Sequence, residues 1–149
     1  MIEKKLRRGL RIKFEKGVDP EVRRAILEFA VWLRQQVDFP IRVPVYVKKA
    51  TQIKSKEGEL VCGTFWEPDN KNVEPYIRVS TGDYYELIEK WGKDNALASI
   101  LDTIAHEIAH YEQWLKDKPS SCRSASNRAR ILMKKYSAQG HTHKNCSKH

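Results

Sequence analysis

The sequence predicts an α+β fold, and a change of apolar period along the chain is the main ground for it. The first half alternates apolar and polar residues in several short stretches around a single helical segment. The second half instead repeats apolar residues every three or four positions, the spacing of helices packed by one face. A length of 149 residues suits one domain with a core that needs no cross-links. We place that domain at residues 1–140, followed by a flexible basic tail over 141–149 that is rich in His and Cys.

Taken in order, Leu10, Ile12 and Phe14 alternate with charged residues and predict a strand with one buried face. Asp19 suits a helix N-cap and Pro20 the first helical position, and Val22, Ile26, Phe29, Leu33 and Val37 then recur at helical spacing. Ile41, Val43, Val45 and Val47 alternate again, with Pro44 arguing for an edge strand or a bulge. Residues 60–66 and 75–80 predict two more strands, separated by a turn containing Pro68, Asp69, Asn70 and Asn72. Asp83 with Glu86 has capping-box spacing for a short helix through Trp91, and Gly92 stops it. Asp94 is placed to cap a long helix whose stripe is Leu97, Ile100, Leu101, Ile104, Ile108 and Leu115. Pro119 breaks it, and Ala125, Ala129, Leu132, Met133 and Tyr136 support a last helix ending near Gly140. Trp66, Trp91, Trp114, Tyr84 and Tyr85 are assigned to packing.

Composition narrows the setting. A formal charge of +9, from 28 Lys and Arg against 19 Asp and Glu, favours contact with anionic surfaces such as nucleic acid and also promotes solubility. Cys62, Cys122 and Cys146 are odd in number and widely spaced, which argues against a disulfide framework and for the reducing cytoplasm. Neither a secretory leader nor a run of about 20 apolar residues is evident, so no membrane association is expected.

Chemistry concentrates at His106-Glu107-Ile108-Ala109-His110. Residues four apart share a helix face, so the two imidazoles can turn toward one Zn2+ while Glu107 reaches a water beside it. Asp102, one turn earlier, is a candidate to fix the tautomer of a ligand imidazole, and Gln113 and Asp117 lie one and two turns beyond His110.

From residue 75 to residue 136 the chain resembles the zincin metallopeptidases, in particular small gluzincin-like (minigluzincin) and SprT-like domains: a strand, a helix reading HEIAHYEQW, a break, and a helix ending ARILMKKY. The resemblance implies a small twisted mixed or antiparallel sheet packed on the active-site helix, with two or three further helices. It also implies His106 and His110 as metal ligands, Glu107 as general base in peptide hydrolysis by a metal-activated water, and residues 76–79 as the edge strand that aligns substrate.

The chain departs from these relatives after the motif. Lys116 stands where metzincins carry a third histidine, and Gln113 replaces their glycine. No Asp or Glu follows Asp117 to serve as the gluzincin glutamate, expected near residues 124–127, where Ser124 and Ser126 stand. No histidine lies between His110 and His141 for the SprT-like pattern. A catalytic zinc usually takes three protein ligands, so the third is open among Cys122, His141, His143, Cys146 and His149, or is lost, leaving an impaired enzyme. A tail reaching the metal would autoinhibit. Tyr111, Tyr136 and His141 are candidates by type for stabilising an oxyanion. Two alternatives stand beside the peptidase. One is a nucleic-acid-associated, SprT-like protease using Arg123, Arg128, Arg130, Lys134 and Lys135; the other is a metal-binding zincin fold without turnover.

Overall fold

The structure, a computed structural model, describes residues 7–140. Its elements run β1 (Leu10–Phe14), α1 (Pro20–Gln36), β2 (Val43–Lys48), β3 (Ile53–Lys54), β4 (Leu60–Val61), β5 (Gly63–Trp66), β6 (Tyr76–Ser80), α2 (Tyr84–Trp91), α3 (Lys93–Leu115) and α4 (Cys122–Ala138). This is an α+β arrangement of four helices on a small mixed sheet, in agreement with the class that the apolar periods predict.

The sheet has the order β1-β2-β6-β5. Its first three strands are parallel and β5 runs antiparallel to β6. A parallel pair needs a long crossover, and α1 supplies it between β1 and β2. Asp19 starts α1 by accepting the Glu21 N–H at 2.8 Å, with Pro20 in the first turn as expected. Val43, Val45 and Val47 of β2 and Ile77 and Val79 of β6 are wholly buried, and they join Phe29, Leu33, Leu101, Ile104 and Ile108 in one apolar core.

Three strand assignments from sequence are corrected. β2 is an inner strand despite Pro44. The Val43 N–H bonds toward β1, to Gly9, so the nitrogen of Pro44 faces the opposite side, where pairing with β6 begins only at Val45. The missing N–H therefore falls before that ladder starts. Likewise Tyr76–Ser80 is not an edge: β6 lies between β2 and β5, and β5 holds the border. The single strand expected over residues 60–66 is divided at Cys62, with Leu60–Val61 paired to β3 in a two-stranded hairpin and Gly63–Trp66 joined to the main sheet.

Helix ends differ in detail. Gly92, at φ 85°, both closes α2 and opens α3, so Asp94 lies within the first turn of α3 instead of capping it. A carboxylate there still favours the positive end of the helix. Asp83 precedes α2 without a side-chain cap bond. Ser121 caps α4 by accepting the Ser124 N–H, which makes Cys122 the first residue of that helix. Of the aromatic residues assigned to packing, Trp114 and Tyr84 are buried and Trp66 is partly so, whereas Tyr85 and Trp91 are 66% and 54% exposed. Tyr85 lies on the outer side of α2, where its hydroxyl donates to Asp19. No helix among the described residues is long and apolar enough to cross a membrane.

Both α4 and β5 pack directly on α3. That packing puts His-Glu-x-x-His between a sheet border and the start of the next helix.

Candidate metal centre

His106 and His110 sit one turn apart on α3, and their Nε2 atoms approach to 3.2 Å. The short linker after α3 returns Cys122 to the same place, with its Sγ 3.8 Å from His110 Nε2. One ligand atom from each of the three residues lies within 4.8 Å of the other two.

What aims His110 is Gln113. The Gln113 side-chain amide is held by Ser121, donating to its carbonyl at 3.0 Å and accepting its N–H at 3.1 Å. This pair of bonds settles the orientation of the amide, so Oε1 is the atom facing His110 Nδ1 at 3.0 Å. An oxygen there only accepts. Nδ1 of His110 therefore carries the proton, and the Nε2 lone pair is turned toward His106 and Cys122. Ser120 Oγ adds a second contact to Nδ1 at 3.3 Å. Ser126 Oγ lies 3.4 Å from Nδ1 of His106 and can accept its proton in the same way. Burial and the neighbouring His110 lower the His106 pKa, with Asp102 opposing, so the imidazole is held in the neutral form that a metal requires.

The three donors are of types that zinc, among other metal ions, takes. Tetrahedral bonds of about 2.0–2.1 Å to nitrogen and about 2.3 Å to sulfur separate two nitrogens by roughly 3.3 Å and a nitrogen from a sulfur by roughly 3.6 Å. The separations of 3.2 Å between His106 and His110 and 3.8 Å between His110 and Cys122 are close to these values, and the remaining pair, His106 with Cys122, lies within 4.8 Å.

Glu107 is 6% exposed, and a Cβ added at Gly63 of β5 would stand 3.1 Å from its Oε2 and 2.7 Å from Thr103 Cγ2. Glycine is thus the residue that lets the strand lie against the carboxylate. Burial pushes the Glu107 pKa up to about 7, into the range where a carboxyl exchanges protons at neutral pH. His106, Glu107, His110, Ser120 and Cys122 share one cleft of about 500 Å3 with Gly63, Thr64 and Phe65 of β5.

Comparisons with protein-family models, with curated proteins and with solved structures gave no match.

Of the candidate third ligands, Cys122 is at the site, while His141, His143, Cys146 and His149, and with them the tail, lie outside the described residues. Asp102 acts on His106 through charge, the Nδ1 contact being made by Ser126. Asp117 is directed elsewhere and pairs with Lys71 at 2.6 Å. Tyr111 and Tyr136 are excluded as oxyanion donors at the cleft: both are wholly buried in the core, and the Tyr111 hydroxyl donates to the Ile41 carbonyl. Sequence reasoning missed Gly63 and Ser120. A glycine inside a predicted strand is a signal of close backbone approach and could have pointed to Gly63. Ser120 carried no such mark.

Proposed function

We propose that this chain is a zinc-dependent peptidase with a zincin-like arrangement in which Cys122 replaces the usual third ligand. The observation that carries the proposal is the meeting of His106, His110 and Cys122 beside the buried carboxyl of Glu107 in one cleft. Imidazole nitrogen and thiolate sulfur are both ligands that zinc takes, and three protein ligands leave a fourth position for water or substrate, as catalytic zinc requires. A bound zinc would acidify water and polarise a carbonyl.

The chain's own groups would do the rest. Glu107 takes a proton from the attacking water and delivers it to the departing amine, and its burial keeps both protonation states accessible. Gln113, Ser120 and Ser126 hold the two imidazoles in the ligating tautomer. β5 borders the cleft and has β6 on one side only, so its free edge can take an extended peptide as an added strand and bring a scissile bond past Glu107.

The test is zinc stoichiometry of the purified protein together with hydrolysis of an unfolded protein substrate. One zinc per chain is expected, and Glu107→Gln should retain the metal and abolish hydrolysis. Hydrolysis that persists in that variant refutes the base, and absent zinc binding refutes the site. Turnover-free zinc binding by the native chain would support the metal-binding alternative.

A nucleic-acid partner is supported separately by the exposure of Arg123, Arg130, Lys134 and Lys135 on α4. Arg128 does not belong to that group, because it is committed to Glu112 through two bonds of 2.9 and 3.1 Å. Binding of duplex or single-stranded DNA that weakens steeply with salt would bear this partner out, and salt-insensitive or absent binding would remove it.

A further inference from the structure

The cleft that holds the candidate metal centre has a charge opposite to that of the chain. Its lining includes Glu57 and Glu59 from the β3–β4 hairpin and Glu67 just after β5, besides Glu107. No Lys or Arg among the described residues lines it. Glu57, Glu59 and Glu67 take part in no ion pair found among the described residues, a state they share with Glu86, Glu89 and Asp94 on α2 and α3, and what sets the three apart is that they stand around one opening.

From this we infer that the cleft selects basic substrates: peptide segments carrying Lys or Arg next to the bond presented at Glu107. The inference rests on the peptidase reading. What makes the cleft a site is the metal-ligand trio and the open strand edge, and the carboxylates set its preference. They lie too far from the trio to be counted among its ligands, since the metal-binding group found among the described residues contains His106, His110 and Cys122 alone.

The arrangement fits an extended chain. Glu57 and Glu67 also line an adjoining cleft of about 570 Å3 that continues along β5 past Trp66 and Tyr76, where Asp69 adds a further carboxylate but Lys56 and Arg78 bring two cations, so the acidic excess is concentrated at the metal centre. A peptide added to β5 directs alternate side chains to the same side, where long cationic side chains can reach Glu57, Glu59 and Glu67 while the backbone pairs with the strand. Complementary charge would act on selectivity and on the rate of encounter more than on tightness of binding, and salt would screen it.

The experiment uses the full chain loaded with zinc and two fluorescein-labelled twelve-residue peptides of equal length, one alternating Lys with Ala and the other Glu with Ala. Fluorescence anisotropy with the Glu107→Gln protein measures binding without turnover. Cleavage of both peptides by the native chain is followed by mass spectrometry. The Lys peptide is expected to bind about tenfold or more tightly than the Glu peptide. The triple variant Glu57→Gln/Glu59→Gln/Glu67→Gln should lose most of that difference. A charge-matched control on α2 and α3, Glu86→Gln/Glu89→Gln/Asp94→Asn, should keep it. Equal binding of the two peptides, or equal loss in the cleft variant and the control, overturns the inference. Selective binding of the Lys peptide without cleavage of either would sustain the acidic cleft and refute the peptidase, whereas indiscriminate cleavage would do the reverse.

Discussion

Replacing Glu107 by Gln should stabilise the metal-free protein, and the gain should depend on pH. The carboxyl titrates at about 7 in the folded chain against an ordinary 4.5, because burial penalises its charged form. The folded state therefore holds this proton more tightly than the unfolded state does. Below about pH 4.5 the group is protonated in both states and costs nothing; the cost grows as pH rises through this interval and is complete above about 7. At ~1.36 kcal/mol per pH unit, the interval between 4.5 and about 7 corresponds to about 3 kcal/mol. That is a large part of the ~5–15 kcal/mol that usually holds a domain folded. Glutamine has nearly the shape of the protonated side chain and cannot ionise. Urea unfolding in the presence of a chelator, on both proteins at pH 4.5 and pH 8, isolates the effect as a difference between them. The variant should unfold at similar urea at pH 4.5 and show about 3 kcal/mol of added stability at pH 8, with unchanged denaturant dependence. A variant no more stable than the native chain at pH 8, or equally stabilised at both pH values, would refute the reasoning. The expected result would mean that a base working near neutrality is maintained at the expense of stability.

Other predictions follow from the same contacts. Gly63→Ala should cost about 1–3 kcal/mol in thermal or urea unfolding, since the new methyl would lie 2.7 Å from Thr103 Cγ2 and β5 must move off α3. Gln113→Ala should weaken zinc binding by about 10–100-fold in chelator competition, because the proton on His110 Nδ1 loses its acceptor; unaltered affinity would mean that the tautomer is set otherwise. Cys122→Ser should weaken zinc by more than the Gln113 change and remove the rise in melting temperature that zinc gives, a stabilisation of about 2.7 kcal/mol at 100 times its dissociation constant. Deleting residues 141–149 should leave zinc affinity unchanged, and a fall comparable to that of Cys122→Ser would move the third ligand into the tail.

Much of this protein is legible one segment at a time. The Asp19-Pro20 start of α1, the apolar alternation of β1, β2 and β6 and the stripe of α3 are local patterns, and local geometry decides them. The pairing of His106 with His110 belongs to the same class, since a helix brings residues four apart together whatever surrounds it. Strand order was beyond such reasoning. Pro44 counts against an inner strand only when the side its nitrogen faces carries a ladder, and that depends on where β6 begins to pair. Tyr85 and Trp91 show the same limit, because being aromatic does not tell a side chain which way its helix will be turned.

By itself, then, the sequence determined the class of fold, the helix bearing the two histidines and the carboxylate between them, because hydrogen-bonded turns and apolar periods act over a few residues. Only the tertiary structure decided what stands around them. Folding α4 back on α3 brings Cys122 to the imidazoles and lets Ser121 lock Gln113 against His110, and packing β5 on α3 buries Glu107 beneath Gly63. These are contacts between segments separated along the chain, and they exist only when one core has closed on all of them.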